Sequence, residues 1–252
     1  MPETLPDLRR SEGVLFDLDG VLTPTAEVHM RAWQAVFDDV FSQWGITPAY
    51  TDADYYAHVD GKRRYDGVAG LLRARNVEIP WGSASDAPEL QTVCGIGNRK
   101  NAAFADALCR GGVSPYPGSL ALIETLRAAG VPMGVVSSSS NAEEVLDTAG
   151  IREYFTIVVD GRVAERDGLA SKPAADMFRA GAVALGVNPE HAVAVEDALA
   201  GVGSAAAAGF ATVVGVDRGA GPDALRDAGA TCVVDDLARL LTASPDDNLE
   251  TA

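Results

Sequence analysis

An α/β fold, a Rossmann-like parallel sheet core with a small inserted α-helical domain, is predicted by three features of this 252-residue chain. Short β-branched runs alternate with helical stretches from Ser119 onward, and each of those helical stretches closes on glycine. A segment of helical character, about 90 residues long by its apolar spacing, separates the first apolar run from all the others. Alternating β and α elements joined by short turns pack as a parallel sheet with helices on both faces.

The first run, "GVLFDL" (13–18), is short and almost wholly apolar, as a strand buried on both faces must be. After it, "AEVHMRAWQAVFDDVFSQW" (26–44) places Val28, Ala32, Ala35, Val36 and Val40 at helical spacing. "RRYDGVAGLLRAR" and "LQTVCGIGNRKNAAFADALCR" also read as helices. "NVEIPWGSASDAPE", rich in Pro, Gly, Ser and Asp, reads as a loop between them. Residues 25–109 are therefore expected to form a helical domain, and residues 1–24 with 110–252 the core. Hinges are expected near Thr23–Thr25 and in "GGVSPYPG" (111–118). Beyond them, "VPMGVVS", "FTIVV", "HAVAVE", "FATVVGV" and "TCVV" read as buried strands. "SLALIETLRAAG", "NAEEVLDTAG", "AADMFRAGAVALG" and "ALAGVGSAAAAG" read as the intervening helices, each stopped by its glycine.

With 20 basic and 36 acidic residues the chain carries a net charge of −16, which repels nucleic-acid backbones. Any phosphate site needs basic groups concentrated locally. No apolar run approaches the roughly 18 residues that span a bilayer. "MPETLPDLRRSEG" lacks the pattern of a secretory signal, so a cytoplasmic location is expected. Cys94, Cys109 and Cys232 are too scattered for a zinc site or a disulfide framework. The acidic "PDDNLE" near the C-terminus reads as a solvated tail.

Chemistry concentrates where strands end. Asp17 and Asp19 close the first strand, and Gly20 lets the backbone turn there. Ser137 closes "MGVVS", Lys172 precedes a helix in "ASKPAADMF", and Glu196 and Asp197 close "HAVAVE". Taken singly, each has a plain structural reading: a turn, a loop, a surface lysine, a helix cap. Together they offer carboxylates for a divalent cation, a hydroxyl and a lysine at the carboxyl edge of a parallel sheet, where ligands bind. That set suits phosphoryl transfer, with magnesium held by carboxylates and phosphate oxygens and a carboxylate nucleophile forming an aspartyl phosphate.

"FDLDGVLTPT", "VVSSSSN", "SKPAADMF" and "AVEDALAGV" resemble, in order, the four motifs of the haloacid dehalogenase superfamily of phosphotransferases. The resemblance implies that Asp17 is the nucleophile and that Asp19 is the general acid/base, also binding Mg2+ through its backbone carbonyl. It implies that Ser137 and Lys172 hold the transferring phosphoryl group, and that Glu196 and Asp197 complete the metal site. The insert resembles the cap of the β-phosphoglucomutase branch, through "TAEVHMRAW", "VDGKRRYDGV" and "NRKN". This places His29 and Trp33 near the site, Arg64 after Gly61 on the non-transferring phosphate, and Lys100 toward the substrate. Ser139 and Asn141 match positions that contact the substrate's distal end.

By periodicity alone Trp33 is a packing residue, a lone histidine is structural, and "KRR" is a solvated helix start. Pro24 stands where the pattern usually has aspartate, and Asp60 and Ser140 where lysine is common, with Lys62 or Arg63 able to replace the missing charge. The implied activity is interconversion of β-glucose 1-phosphate and glucose 6-phosphate, with β-glucose 1,6-bisphosphate as intermediate and priming donor, by a monomer acting on a small phosphosugar. A sugar-phosphate phosphatase would share the core motifs. A receiver-like signalling module, with Asp17 as phospho-acceptor, would be about half as long and lack the insert.

Overall fold

The computed structural model describes residues 5–242, so the acidic tail lies outside the described residues. Strands β1 (Val14–Phe16), β2 (Met133–Val136), β3 (Ile157–Val159), β4 (Val193–Glu196), β5 (Thr212–Val216) and β6 (Cys232–Val234) form one sheet. All its pairings are parallel, in the order β3-β2-β1-β4-β5-β6. Phe16 stands opposite Val135 on one side and Val195 on the other. The two-residue period of a strand sends Val14, Phe16, Val135 and Val195 to one face and Leu15, Val136 and Ala194 to the other.

Helices α1 (Thr25–Trp44), α2 (Asp52–Asp54), α3 (Arg64–Ala74) and α4 (Val93–Gly111) lie between β1 and β2. Then come α5 (Pro117–Ala128), α6 (Ala142–Thr148), α7 (Gly161–Asp167), α8 (Asp176–Leu185), α9 (Leu199–Ala208) and α10 (Pro222–Ala228). Leu122, Ile123 and Leu126 of α5 and Val145 and Leu146 of α6 pack on one face of the sheet. Phe178 of α8, Val202 and Ala205 of α9 and Leu225 of α10 cover the other. The insert has an apolar cluster of its own, in which Phe37 and Phe41 of α1 meet Leu71 and Leu72 of α3 and Ile96 of α4. The lower ends of two of its helices, at Ala32, Phe104 and Leu108, join the cluster beneath the sheet.

The expected strands all form, shortened by one to a few residues at their ends. α4 continues to Gly111, past the expected boundary at 109, and stops where Gly112 takes a φ of +61°. The short helices α2, α7 and α10 were not expected. In α7 only Gly161 and Ala164 are buried, so no apolar stripe betrays it; Asp160 caps it by accepting from the amides of Arg162 and Val163. No described helix is long and apolar enough to cross a membrane.

Candidate active site

The strand order sets β1 between β2 and β4, so the loops leaving these three strands emerge side by side at the point where the winding of the sheet reverses. Asp17, just past β1, is tied into the sheet by its amide, which donates to the Val195 carbonyl at 2.9 Å. Ser137 follows β2, and Glu196 ends β4. Lys172 reaches in from the segment before α8, its side chain wholly buried. Its Nζ donates to Asp17 Oδ1 at 2.7 Å, Glu196 Oε1 at 2.6 Å and the Val136 carbonyl at 3.0 Å. Two glycines make room for these carboxylates. A Cβ at Gly20, where φ is +90°, would run into Asp197, and one at Gly201 would run into Glu196.

Oxygens of Asp17, Glu196 and Asp197 all lie within 4.8 Å of one another, and all three residues are buried. Burial, incompletely offset by Lys172 and reinforced by neighbouring carboxylates, pushes the Asp17 carboxyl well above its usual range. Burial and the charges of Asp60 and Glu196 do the same to Asp197. Burial opposes the Lys172 ammonium, but Asp17 and Glu196 outweigh it and raise its pKa, so it stays charged. Glu196 Oε2 accepts from the amides of Asp197 and Ala198, at 3.0 and 3.1 Å. One ammonium among three buried carboxylates leaves a deficit of positive charge, and an all-oxygen donor set of this kind fits a hard divalent cation such as Mg2+. The Asp19 carboxylate stands outside the cluster.

Asp19 is instead held toward the insert. The Thr25 hydroxyl, in the first turn of α1, donates to its Oδ1 at 2.5 Å. His29, one turn further along, brings Nε2 to 3.3 Å from the same oxygen. Burial alone would raise the Asp19 pKa, but His29, Thr25 and Lys100 together lower it to about 2. His29 Nδ1 meets the Lys100 ammonium of α4, and the imidazole stacks on Phe104 with centroids 4.0 Å apart. Burial and Lys100 lower the His29 pKa against the pull of Asp19. A neutral ring that accepts from Lys100 at Nδ1 carries its proton on Nε2, facing Asp19. Lys100 lies 5.0 Å over the rings of both Trp33 and Phe104, and burial brings its pKa down to about 7.

Hydrogen bonds close the insert over the core: Ser138 Oγ donates to the Gly61 carbonyl at 2.7 Å, and the Arg63 amide to Ser171 Oγ at 3.0 Å. Beneath them is a cavity of about 70 Å³, into which Asp17, Asp19, Ser137 and Asp197 face from below. His29, Trp33, Gly61, Arg64 and Lys100 bound it from the insert, and Ser139 and Asn141 from the core loop. Lys172 and Glu196 stand behind Asp17. Every residue singled out from the sequence is thus brought to one place. Ser137 Oγ lies 3.4 Å from Asp19 Oδ2 and accepts from the Ser139 amide at 3.1 Å. Trp33 is buried and stacked on Phe37, so packing is a large part of its role.

Of the two residues expected to replace a lysine at position 60, Arg63 is paired with Asp66 at 3.0 Å and Lys62 donates to the Ala57 carbonyl at 3.2 Å. Lys62 does border the cavity. Asp60 itself faces the carboxylate cluster with Tyr55 hydrogen-bonded to it, and burial raises its pKa to about 7. Thr25, Tyr55, Asn98 and Asn101 escaped the sequence reading as site residues. Asn98 Oδ1 accepts from Arg64 at 3.1 Å and from the Tyr65 hydroxyl at 2.9 Å, and Asn101 accepts from Asn141 Nδ2 at 2.8 Å. The available signal was helical spacing: Gly97, Lys100, Asn101 and Phe104 share one face of α4.

A family model described as haloacid dehalogenase-like hydrolase matches residues 12–209. A β-phosphoglucomutase of Mycobacterium bovis is 44% identical over an alignment of 236 residues that covers 90% of each chain. Hexitol phosphatase A of Escherichia coli is 30% identical over 202 residues, covering 79% of this chain and 81% of that one. Among solved structures, a β-phosphoglucomutase of Clostridium difficile superposes with a TM-score of 0.75 at 25% identity, covering 91% of this chain and 93% of its own.

Proposed function

The chain belongs to the haloacid dehalogenase-like hydrolase family, and from that premise we propose that it is a Mg2+-dependent β-phosphoglucomutase, interconverting β-glucose 1-phosphate and glucose 6-phosphate. The observation that carries the mutase reading is the closure of residues 25–109, the cap, over Asp17 through the Ser138–Gly61 and Arg63–Ser171 hydrogen bonds. A covered nucleophile lets a bound sugar hydroxyl, rather than water, attack its phosphoryl group.

Asp17 is the nucleophile and carries the phosphoryl group as an aspartyl phosphate, primed by β-glucose 1,6-bisphosphate. Lys172, locked in its charged form between Asp17 and Glu196, and Ser137 donate to the phosphoryl oxygens. Asp17, Glu196 and Asp197, with the Asp19 carbonyl, would hold Mg2+, which supplies positive charge against the developing phosphoryl charge. Asp19, kept ionised by its contacts, removes the proton from the sugar's 6-hydroxyl as that oxygen attacks. Thr25 and His29 aim its carboxylate. Arg64, with Ser139 and Asn141, grips the phosphate that is not being transferred, and the bisphosphate then turns so that Asp17 takes the 1-phosphate. A monomer acting in the cytoplasm on a freely diffusing phosphosugar completes the proposal.

A second reading, a sugar-phosphate phosphatase, is favoured by Asp60 and Ser140 standing in place of cations and by the likeness to a hexitol phosphatase. One assay separates the two. The enzyme is given β-glucose 1-phosphate, Mg2+ and a trace of β-glucose 1,6-bisphosphate, and glucose 6-phosphate and free phosphate are followed together. The mutase makes the first with little of the second. Phosphate without isomerised sugar would overturn the mutase reading.

A further inference from the structure

Next to the catalytic cavity, with Arg64 in the wall of both, lies a larger one of about 420 Å³ lined by residues of the cap and of the core. The two share Arg64, Asn101, Ser138, Ser140 and Asn141. Cavities that hold small-molecule ligands run to roughly 300 Å³ or more, so the inner cavity of about 70 Å³ is too small by itself for a hexose bisphosphate. One phosphate would lie at Asp17 and the rest of the molecule would reach toward the outer chamber.

The charge of that chamber runs against the charge of the protein. Three arginines, Arg63, Arg64 and Arg162, face two acids, Asp66 and Glu165, in a chain of net charge −16. Arg63 is already paired with Asp66. Among the described residues neither Arg64 nor Arg162 has a carboxylate at ion-pair distance, whereas Arg166, on the same helix as Arg162, is paired with Asp167 at 2.7 Å. Arg64 comes from the cap and Arg162 from the core, and burial together with the nearby Arg162 guanidinium disfavours the charge of Arg64. Two guanidiniums set against each other across a crevice repel unless an anion lies between them, and a phosphate can accept from both.

Arg162, in α7, is also tied to the loop that follows strand β2. The amide of the residue before it, Gly161, donates to the Ser139 carbonyl at 3.0 Å. A Cβ at Gly161 would stand 2.7 Å from Ser140 Oγ, so only glycine lets α7 come this close to the loop. The position of Arg162 therefore follows that of Ser139, Ser140 and Asn141.

We propose that Arg162 is a second guanidinium for the non-transferring phosphate, facing Arg64 across the outer cavity so that one phosphate group ties the core to the cap. The assignment rests on the phosphosugar reading given above and deepens it. Arg162 supplies, from α7, a cation that the Ser137–Asn141 loop itself lacks. A sugar carrying a second phosphate favours closure by bridging the two arginines, and one without it leaves them repelling.

The test compares two phosphoryl donors, β-glucose 1,6-bisphosphate and acetyl phosphate, the second having no distal phosphate. Wild-type enzyme, Arg162→Ala, Arg162→Glu and Arg162→Lys are assayed with both at saturating Mg2+. Losing a charged hydrogen-bond donor should raise KM for the bisphosphate about tenfold or more. The preference for bisphosphate over acetyl phosphate should fall by the same factor, further in Arg162→Glu, and recover in part in Arg162→Lys. An unchanged preference in both Arg162→Ala and Arg162→Glu would overturn the assignment, as would a parallel loss with both donors, which marks a structural role. Failure of the phosphosugar reading looks different: the wild-type enzyme itself would then show no preference for the bisphosphate.

Discussion

Lys172→Met removes the buried ammonium that Asp17 and Glu196 share and keeps most of its volume. In the wild-type protein the wholly buried Nζ satisfies Asp17 Oδ1, Glu196 Oε1 and the Val136 carbonyl. The variant leaves these acceptors without their donor and gathers Asp17, Glu196 and Asp197 with no cation among them. Breaking a buried ion pair from one side costs about 3–5 kcal/mol. For a chain of this size each kcal/mol moves the melting temperature by roughly 2–4 °C, so calorimetry at pH 7.5 in EDTA should find a drop of about 6–20 °C. The sign of the pH dependence follows from the same charges. Carboxyls whose folded-state pKa is raised above the unfolded value weaken the fold at high pH, and that penalty fades as pH falls through the folded pKa. The difference between variant and wild type should therefore narrow from pH 7.5 to pH 5, and added Mg2+ should restore the variant more than the wild type. A variant melting within 2 °C of wild type in EDTA (well under one pair's worth), or a gap that widens on acidification, would refute the charge argument.

Asp17→Asn should abolish turnover while the protein still melts cooperatively, because the amide cannot form the acyl phosphate; substantial turnover in a purified sample would falsify the nucleophile assignment. Asp19→Asn should lose about 10²–10⁴ in rate at the proton-transfer step, read as kcat with the phosphoenzyme still formed from a donor whose leaving group needs no proton. Gly201→Ala forces a methyl into the Glu196 carboxylate; it should destabilise by about 1–3 kcal/mol and weaken Mg2+ binding measured by calorimetry, and normal metal affinity would show that the loop gives way. Lys100, brought down to about 7 by burial, loses its charge as pH rises above 7, whereas the unfolded chain keeps it up to a pKa of 10.5. Stability from this group therefore rises with pH over that window, so the melting temperature of wild type relative to Lys100→Met should climb from pH 7 to 9, and a flat difference counts against a depressed lysine.

Much of this protein is written locally. A buried parallel strand has to be a short apolar run, and a helix lying on it has to repeat its apolar residues every three to four positions and stop at a residue that tolerates positive φ. "GVLFDL" and "VPMGVVS" satisfy the first condition, and Gly186 and Gly209, both left-handed at their helix ends, the second. The phosphoryl-transfer residues are legible for a related reason. Asp17, Asp19, Ser137, Glu196 and Asp197 each sit where a strand ends, and the carboxyl edge of a parallel sheet is one place in space whatever the order of its strands. Helices such as α7 stayed hidden because they bury too little to impose a pattern.

What only the tertiary structure decided is which groups meet across that edge. No local rule says that β1 lies between β2 and β4, yet that order brings Ser137 and Glu196 to either side of Asp17. Lys172 finds Asp17 across 155 positions of sequence, and Lys100 finds His29 across 71, because burial leaves an ammonium no partner but the group packed against it. Asp60 looked like the loss of a cation and proves to face the carboxylate cluster, while Arg162, silent in the sequence, lines the same outer cavity as Arg64. Charge acts through space and through the solvent it excludes, so its partners are chosen by folding, after periodicity and chain direction have already set the elements that carry them.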